Sequence, residues 1–381
     1  MSDRTVSFSK LASESLIEVG AGRPRSVLDE YPSIPILRVA DVLDGRIESP
    51  SQDRIPDGYQ KVIGSKISKP GDVVLTVKGT VGRVALMPPD RPGFAYSPQL
   101  CYFRPAASGP LRSRYLYYWF KSTQFWNQAD ALKGQTDMAD YLSLSDIQAL
   151  EIRIPALDRQ DRIIEVLGSL DDKITVNDRI IGISGSLLTA HYVASSKGAE
   201  LEVKLGEIIE LKYGRALKEE DRTPGPVPVF GGNGISGWHN FPLCDGPGIV
   251  VGRKGANAGS VSWSQGPFWA IDTSFYVEPR SGSIPLEFLY FLLGGVGLRN
   301  LVGDSAIPGL NREIALSLTV RIPPEETIQL FTETAKPLLA LNARITEESR
   351  GIAKLRDTLL PRLMSGEIRV RDAEKVVEDV T

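Results

Sequence analysis

Residues 253–263 read RKGANAGSVSW, and residues 77–86 read VKGTVGRVAL. Both run Lys-Gly, a few small residues, a second Gly, and then an apolar segment fit for a strand. Glycines beside basic residues let backbone amides come close to phosphate, because no Cβ stands in the way. The same glycines also suit a plain β-turn that needs positive φ, with its basic residues solvated. Recurrence separates the two readings. A nucleotide enzyme normally needs one phosphate loop, whereas a protein gripping two stretches of nucleic acid needs two.

The recurrence extends well beyond the loop. SPQLCYFRP (97–105) parallels DTSFYVEP (272–279), RYLYYWFKS (114–122) parallels EFLYFLLGG (287–295), and LEIRIP (150–155) parallels LTVRIP (318–323). Four matched blocks in one order mark an internal duplication. Each copy reads as mixed α and β: short strands, Gly and Pro turns, one or two short helices.

A long helix is expected after each copy. LDRQDRIIEVLGSLDDKITVNDRI (157–180) opens with Asp158 as the expected N-cap. Ile163, Leu167, Leu170, Ile174, Asn177, Ile181, Ser184 and Leu188 then follow at alternating spacings of four and three, a heptad stripe. The second stripe runs Ile328, Phe331, Ala335, Leu338, Asn342, Ile345, Ser349, Ile352. The economical partner of each stripe is the other. Asn177 and Asn342 are expected to fix the register of the spacer, meeting near the crossing if the helices run antiparallel; the alternative is that both are simply solvated. Gly182, Gly185 and Pro337 weaken the helices, and Pro361 marks the expected end of the second.

The expected fold is therefore α+β: two similar mixed α/β domains joined by two long helices that form an antiparallel coiled coil. The expected boundaries are 1–155 and 201–324 for the domains, 156–200 and 325–370 for the helices, and 371–381 for a disordered tail. A helix of roughly thirty residues spans about 45 Å, against about 34 Å for one turn of DNA. Two domains on such a spacer can address one face of a duplex.

Composition excludes several classes. The hydrophobic share is 42% and the charged share 24%, as in ordinary globular proteins. No apolar run approaches a membrane span, and MSDRTVSFSK has no signal-peptide core, so a cytoplasmic protein with no membrane partner is expected. Two Cys and two His leave no disulfide framework and no metal site of usual ligands. The net charge of −3 argues against a polybasic coat, although residues 1–155, with 19 basic and 17 acidic residues, permit a basic face. No G-x-x-x-x-G-K-[ST] loop, no methyltransferase motif, no G-x-S-x-G elbow and no nuclease constellation is present, so no catalytic residue is expected.

Three stretches resemble the specificity subunit of type I restriction–modification systems: IPALDRQDRIIEVLGSLDDKI (154–174); the run through VPVFGGNGISGWHN (227–240), GIVVGRKGANAGSVSW (248–263) and WAIDTSFYV (269–277); and LRDTLLPRLMSGEIRV (355–370). The resemblance covers nearly the whole chain. It implies two target-recognition domains, each reading half of a split sequence on double-stranded DNA, with an unread gap set by two antiparallel helices. It further implies methyltransferase and motor-nuclease partner subunits, to which S-adenosylmethionine and ATP would belong, leaving no cofactor in this chain. The first domain matches less closely, through SKPGDVVLTVKGTVGRVAL (68–86), and the second helix lacks the Leu-x-x-Gln start of the first.

On that reading Lys78, Arg83, Arg253 and Lys254 are the candidate phosphate contacts. Base readout needs polar side chains at groove edges. Asn233, Ser236, His239 and Asn240 offer these in the second domain, and Gln99 and Gln135 in the first. The glycine-rich segment around Asn233 also suits a purely structural loop anchored by Trp238, and Tyr96 suits packing better than stacking on a base. The rival reading is a protein-binding scaffold without base readout.

Overall fold

The computed structural model describes residues 4–22, 34–48, 53–55, 64–90, 93–132, 134–135, 140–280, 284–303 and 308–378. Two compact units emerge: Met1–Ile174 together with Arg350–Thr381, and Thr175–Ser349.

The two units share a topology. In the first, a four-stranded antiparallel sheet runs in the order Ile17–Ala21, Leu100–Pro105, Val73–Thr76, Val84–Leu86. In the second the order is Ile209–Tyr213, Ser274–Pro279, Gly248–Gly252, Val261–Ser264. Each also has a parallel pair, Ile34–Leu37 with Ala95–Tyr96 and Val227–Gly231 with Trp269–Ala270. A two-stranded ribbon closes each: Arg4–Ser7 on Glu151–Ile154, and Leu201–Lys204 on Thr319–Ile322.

The third strands in these orders do not alternate apolar with polar, because both faces of the sheet are covered. Successive side chains of a strand point to opposite faces. Val73 and Leu75 enter a core with Phe8, Phe103, Trp119 and Phe120, whereas Val74 enters another with Tyr96 and Tyr102. In the second unit Ile249 and Val251 join Phe275 and Phe288, and Val250 joins Phe230 and Phe268.

The long helices span Leu157–Ser196 and Glu325–Ser365, and each contributes to both units. Ile163, Leu167 and Leu170 pack with Ile352, Leu359, Leu360 and Leu363 in the first core. In the second, Leu188 packs with Ile328, Phe331 and Ala335. Within the first unit Arg356 pairs with Asp171 at 2.7 Å, and the Tyr118 hydroxyl donates to the same carboxylate at 2.7 Å. Burial and Asp171 hold the Tyr118 hydroxyl far above its usual range, so it stays a donor.

Several details differ from expectation. Asp158 lies inside the first turn rather than capping it, facing the positive helix end and pairing with Arg162 at 2.9 Å. Gln160 is buried and ties the helix start to the sheet exit: it accepts from Arg112 N at 2.9 Å and donates to the Pro110 and Pro155 carbonyls at 2.7 and 2.9 Å. Counting from the matched strand ends Ile154 and Ile322, its counterpart is Ile328, also buried. An apolar contact there replaces the hydrogen-bonded one, which is why the Leu-x-x-Gln pattern is missing.

The two asparagines do not meet. Asn177 donates to Ser349 Oγ at 3.0 Å and to Glu348 at 3.1 Å. By the same count its counterpart is Ile345, not Asn342. Carrying the antiparallel register seven residues along brings Ser184 opposite Asn342, and Ser184 Oγ and Asn342 Oδ1 are both buried without a hydrogen-bond partner among the described residues. The helix also continues through Pro361 to Ser365, because Leu363 and Met364 are buried beyond the proline. Past Gly366 (φ 83°), residues expected to be disordered form a helix, Val370–Glu378, which buries Ala373 and Val377 one turn apart in the first core.

An unpaired buried acceptor is costly. Asn342→Leu is therefore expected to stabilise the protein by about 1 kcal/mol, read as a raised urea midpoint at unchanged slope.

Candidate nucleic-acid interface

Each Lys-Gly loop joins the last two strands of its four-stranded sheet, and the two loops are held by the same hydrogen bonds. Val77 N donates to Gln99 O and Arg253 N to Thr273 O, both at 2.9 Å. Leu142 N donates to Val77 O and Leu310 N to Arg253 O, again at 2.9 Å. Lys78 and Lys254 form matching β-bridges to Tyr141 and Gly309. Gly79 and Gly255 follow at φ 87° and 97°, and Gly82 and Gly259 close the loops at 96° and 80°. These angles require glycine.

This correspondence sorts the basic residues anew. Lys78 matches Lys254; both are exposed, with no ion pair among the described residues. Arg253 matches Val77. Arg83 matches Ser260, since Thr76 N donates to Arg83 O at 2.9 Å and Gly252 N to Ser260 O at 2.8 Å. Arg83 is half-buried in a recess with Asp44, Lys121 and Trp126. Only one lysine per loop is therefore shared.

In the second unit, strands Val227–Gly231 and Gly234–His239 form a hairpin whose two-residue turn is Gly232-Asn233. The turn lies against the basic loop. A Cβ on Gly232 would stand 2.3 Å from the Lys254 carbonyl, and Ser260 Oγ donates to Gly232 O at 3.3 Å. Asn233 is exposed there, so the structure brings it together with Arg253 and Lys254.

The other candidates lie elsewhere. Ser236 is exposed, and its hydroxyl donates to Val229 O at 3.2 Å. Asn240 is exposed just past the far end of the hairpin strand, roughly 20 Å from the turn at about 3.3 Å per residue. His239 is a correction: it is buried, its Nδ1 accepts from Thr223 N at 2.9 Å, and its ring meets Trp269 edge-on at 5.5 Å. It is a packed histidine, not a groove reader. In the first unit Gln99 is exposed while its carbonyl anchors the loop. The backbone of Gln135 pairs with Asp140, and its side chain lies outside the described residues. Tyr96 is buried, stacks on Tyr102 at 5.0 Å and donates to Asp72 at 2.8 Å.

Three residues that shape this surface, one of them the buried Phe275, carry no sign of that role in the sequence. The Thr273 carbonyl accepts from both Arg253 N and Lys254 N, and its Oγ1 accepts from Gly232 N at 3.2 Å. Tyr213 and Phe275 lie under the Arg253 guanidinium at 5.2 and 5.9 Å. DTSFYV holds two of them but reads as a plain strand; nothing marks Tyr213, more than thirty residues before the loop.

Among the described residues no cluster of His, Cys, Asp and Glu could hold a metal ion, and no helix is long and apolar enough to cross a membrane.

The same glycine loop framework, with one exposed lysine, is built once in each unit. The family model of the type I restriction modification DNA specificity domain matches residues 14–182 and again 198–350, and the chain belongs to that family. It is a type I specificity subunit carrying two recognition domains, and its family is one of specificity rather than catalysis. The EcoprrI type I restriction enzyme specificity subunit of Escherichia coli is 24% identical over 342 residues, 83% of each chain. A putative type I specificity subunit of Mycoplasma genitalium is 26% identical over 278 residues, 66% of this chain and 71% of that one. The crystal structure of a type I restriction–modification S subunit from M. genitalium shares the fold, with a TM-score of 0.59 at 19% identity over 95% and 96% of the chains.

The close approach at Gly232 is open to test. Gly232→Ala is expected to cost about 1–3 kcal/mol by overpacking against the Lys254 carbonyl, and to speed hydrogen exchange in residues 253–259 more than in the sheet.

Proposed function

We propose that the chain reads a bipartite target on double-stranded DNA through its two recognition domains and directs methyltransferase and motor-nuclease subunits to that site. The observation that carries this reading is the exposed lysine, without an ion pair among the described residues, at the same position of the same glycine loop in both units. Such a lysine on a glycine framework suits phosphate, and two copies suit two places on one duplex. Membership of the DNA specificity family supports the same conclusion. S-adenosylmethionine and ATP belong in this proposal to the partners.

A net charge of −3 suits a subunit whose partners supply much of the electrostatic grip, since affinity for the backbone grows with the phosphates neutralised. The test is selection from a randomised duplex pool by this chain co-purified with its methyltransferase partner. Two short motifs at fixed separation are expected. Lys78→Ala and Lys254→Ala should each weaken binding across all sequences and lower the salt slope by about 0.9. No enrichment by an intact complex would instead favour a protein-binding scaffold.

The two long helices set the unread gap in this reading. Deleting seven residues from each keeps both heptads in phase and is expected to shorten the selected gap while both motifs persist.

A further inference from the structure

With the two loops matched bond for bond, three positions around them differ together. Arg253 stands where the first unit has Val77. Tyr213 faces Phe275 across neighbouring strands, where the first unit sets Ala21 against Cys101. In the second unit these residues make a stack. The Arg253 guanidinium lies 5.2 Å from the Tyr213 ring centre and 5.9 Å from that of Phe275, and the two rings are 5.1 Å apart. Val77, Ala21 and Cys101 have no cation and no ring with which to build one.

The stacked arginine holds its donors in reserve. Arg253 makes no ion pair and no side-chain hydrogen bond among the described residues, and its Nε is buried without a partner. Arg312 of the same unit behaves as a structural arginine does, donating to the Leu211 carbonyl at 2.7 Å and to Glu210 at 3.3 Å. At Arg253 the rings fix the long side chain while leaving the guanidinium's terminal N–H groups unassigned. Its ordering cost is met before any ligand arrives. The stack reaches the surface, with Tyr213 57% exposed and Lys254 and Asn233 exposed beside the loop.

We propose, resting on the DNA-reading function above, that Arg253 reads a guanine in the half-site contacted by the second unit, with Tyr213 and Phe275 as positioning residues. Guanine presents O6 and N7 on one edge, two acceptors that match two N–H groups of a guanidinium. Phosphate can also take two such bonds. A backbone contact, however, serves both half-sites alike, and the shared position already holds Lys78 and Lys254. A contact that tells one half-site from the other belongs among the positions the two copies do not share.

The experiment is the duplex selection with the methyltransferase complex, repeated with Arg253→Val, Arg253→Lys and Lys254→Ala. Arg253→Val installs the first unit's residue, and Arg253→Lys keeps the charge but loses the fork. Wild type is expected to prefer guanine at one position of one half-site by roughly tenfold to a hundredfold. Both Arg253 variants should bring that preference to within about twofold of parity and leave the other half-site intact, an internal check that the complex is folded and bound. Lys254→Ala should keep both motifs. The inference is overturned if the motif survives Arg253→Lys unchanged, or if the Arg253 variants only lower the salt slope. Should Arg253→Val abolish all binding, the Arg253→Lys result decides. A wild-type complex that selects no split motif would instead sink the DNA-reading function itself.

Discussion

Burial of two heptad stripes is the constraint on which the rest of the molecule depends. Neither globular unit is finished by its own sheet. The first core is closed by Ile163, Leu167 and Leu170 from one long helix and by Leu359, Leu360 and Leu363 from the other. The second is closed by Leu188 on one side and Ile328, Phe331 and Ala335 on the other. Each leucine, isoleucine and phenylalanine among them contributes about 1.5–3 kcal/mol when fully buried. The helices are therefore part of the domains they connect. In that seam Asn177 finds its partner on the opposite helix, at Ser349.

On this frame the duplication divides the surface into what is kept and what is free to vary. Kept are the glycines of the Lys-Gly loop, the backbone bonds that anchor it at both ends, and one exposed lysine. Free to vary are side chains whose backbone atoms carry the anchoring bonds, such as Gln99 against Thr273 and Val77 against Arg253. The bonds that anchor the loop ends at those positions belong to peptide groups, so the same main-chain scaffold carries different side chains in the two units. That is the physical condition for changing a recognition surface without changing a fold.

Much of the architecture was legible in the sequence, for reasons particular residues explain. Repeated blocks reveal duplication because each block is a strand or helix with one buried face, and the heptad stripes show because a seam leaves a fixed spacing. What escaped had non-local causes. The partner of Asn177 depends on an antiparallel register that no local pattern states. Val370–Glu378 folds because Ala373 and Val377 find a core built by residues far earlier in the chain. His239 reads as a surface residue in the sequence, since nothing nearby announces that Trp269 and Thr223 enclose it. Tyr213 was invisible as a site residue because its partner Arg253 lies three strands on in the chain.

The division of the chain into units has a temporal side. Thr175–Ser349 is one unbroken segment, whereas the first unit needs Arg350–Thr381 to complement Met1–Ile174. During synthesis the earlier half must wait, with the surface meant for Leu359, Leu360 and Leu363 uncovered, until the later half has been made. Closing a loop of that length adds only slowly to the entropic cost, but it delays completion, and an open apolar face is prone to association meanwhile. A ribosome that stops short of residue 350 thus leaves a finished second unit and an unfinished first one, so the half made earliest is the half most exposed to truncation at the end.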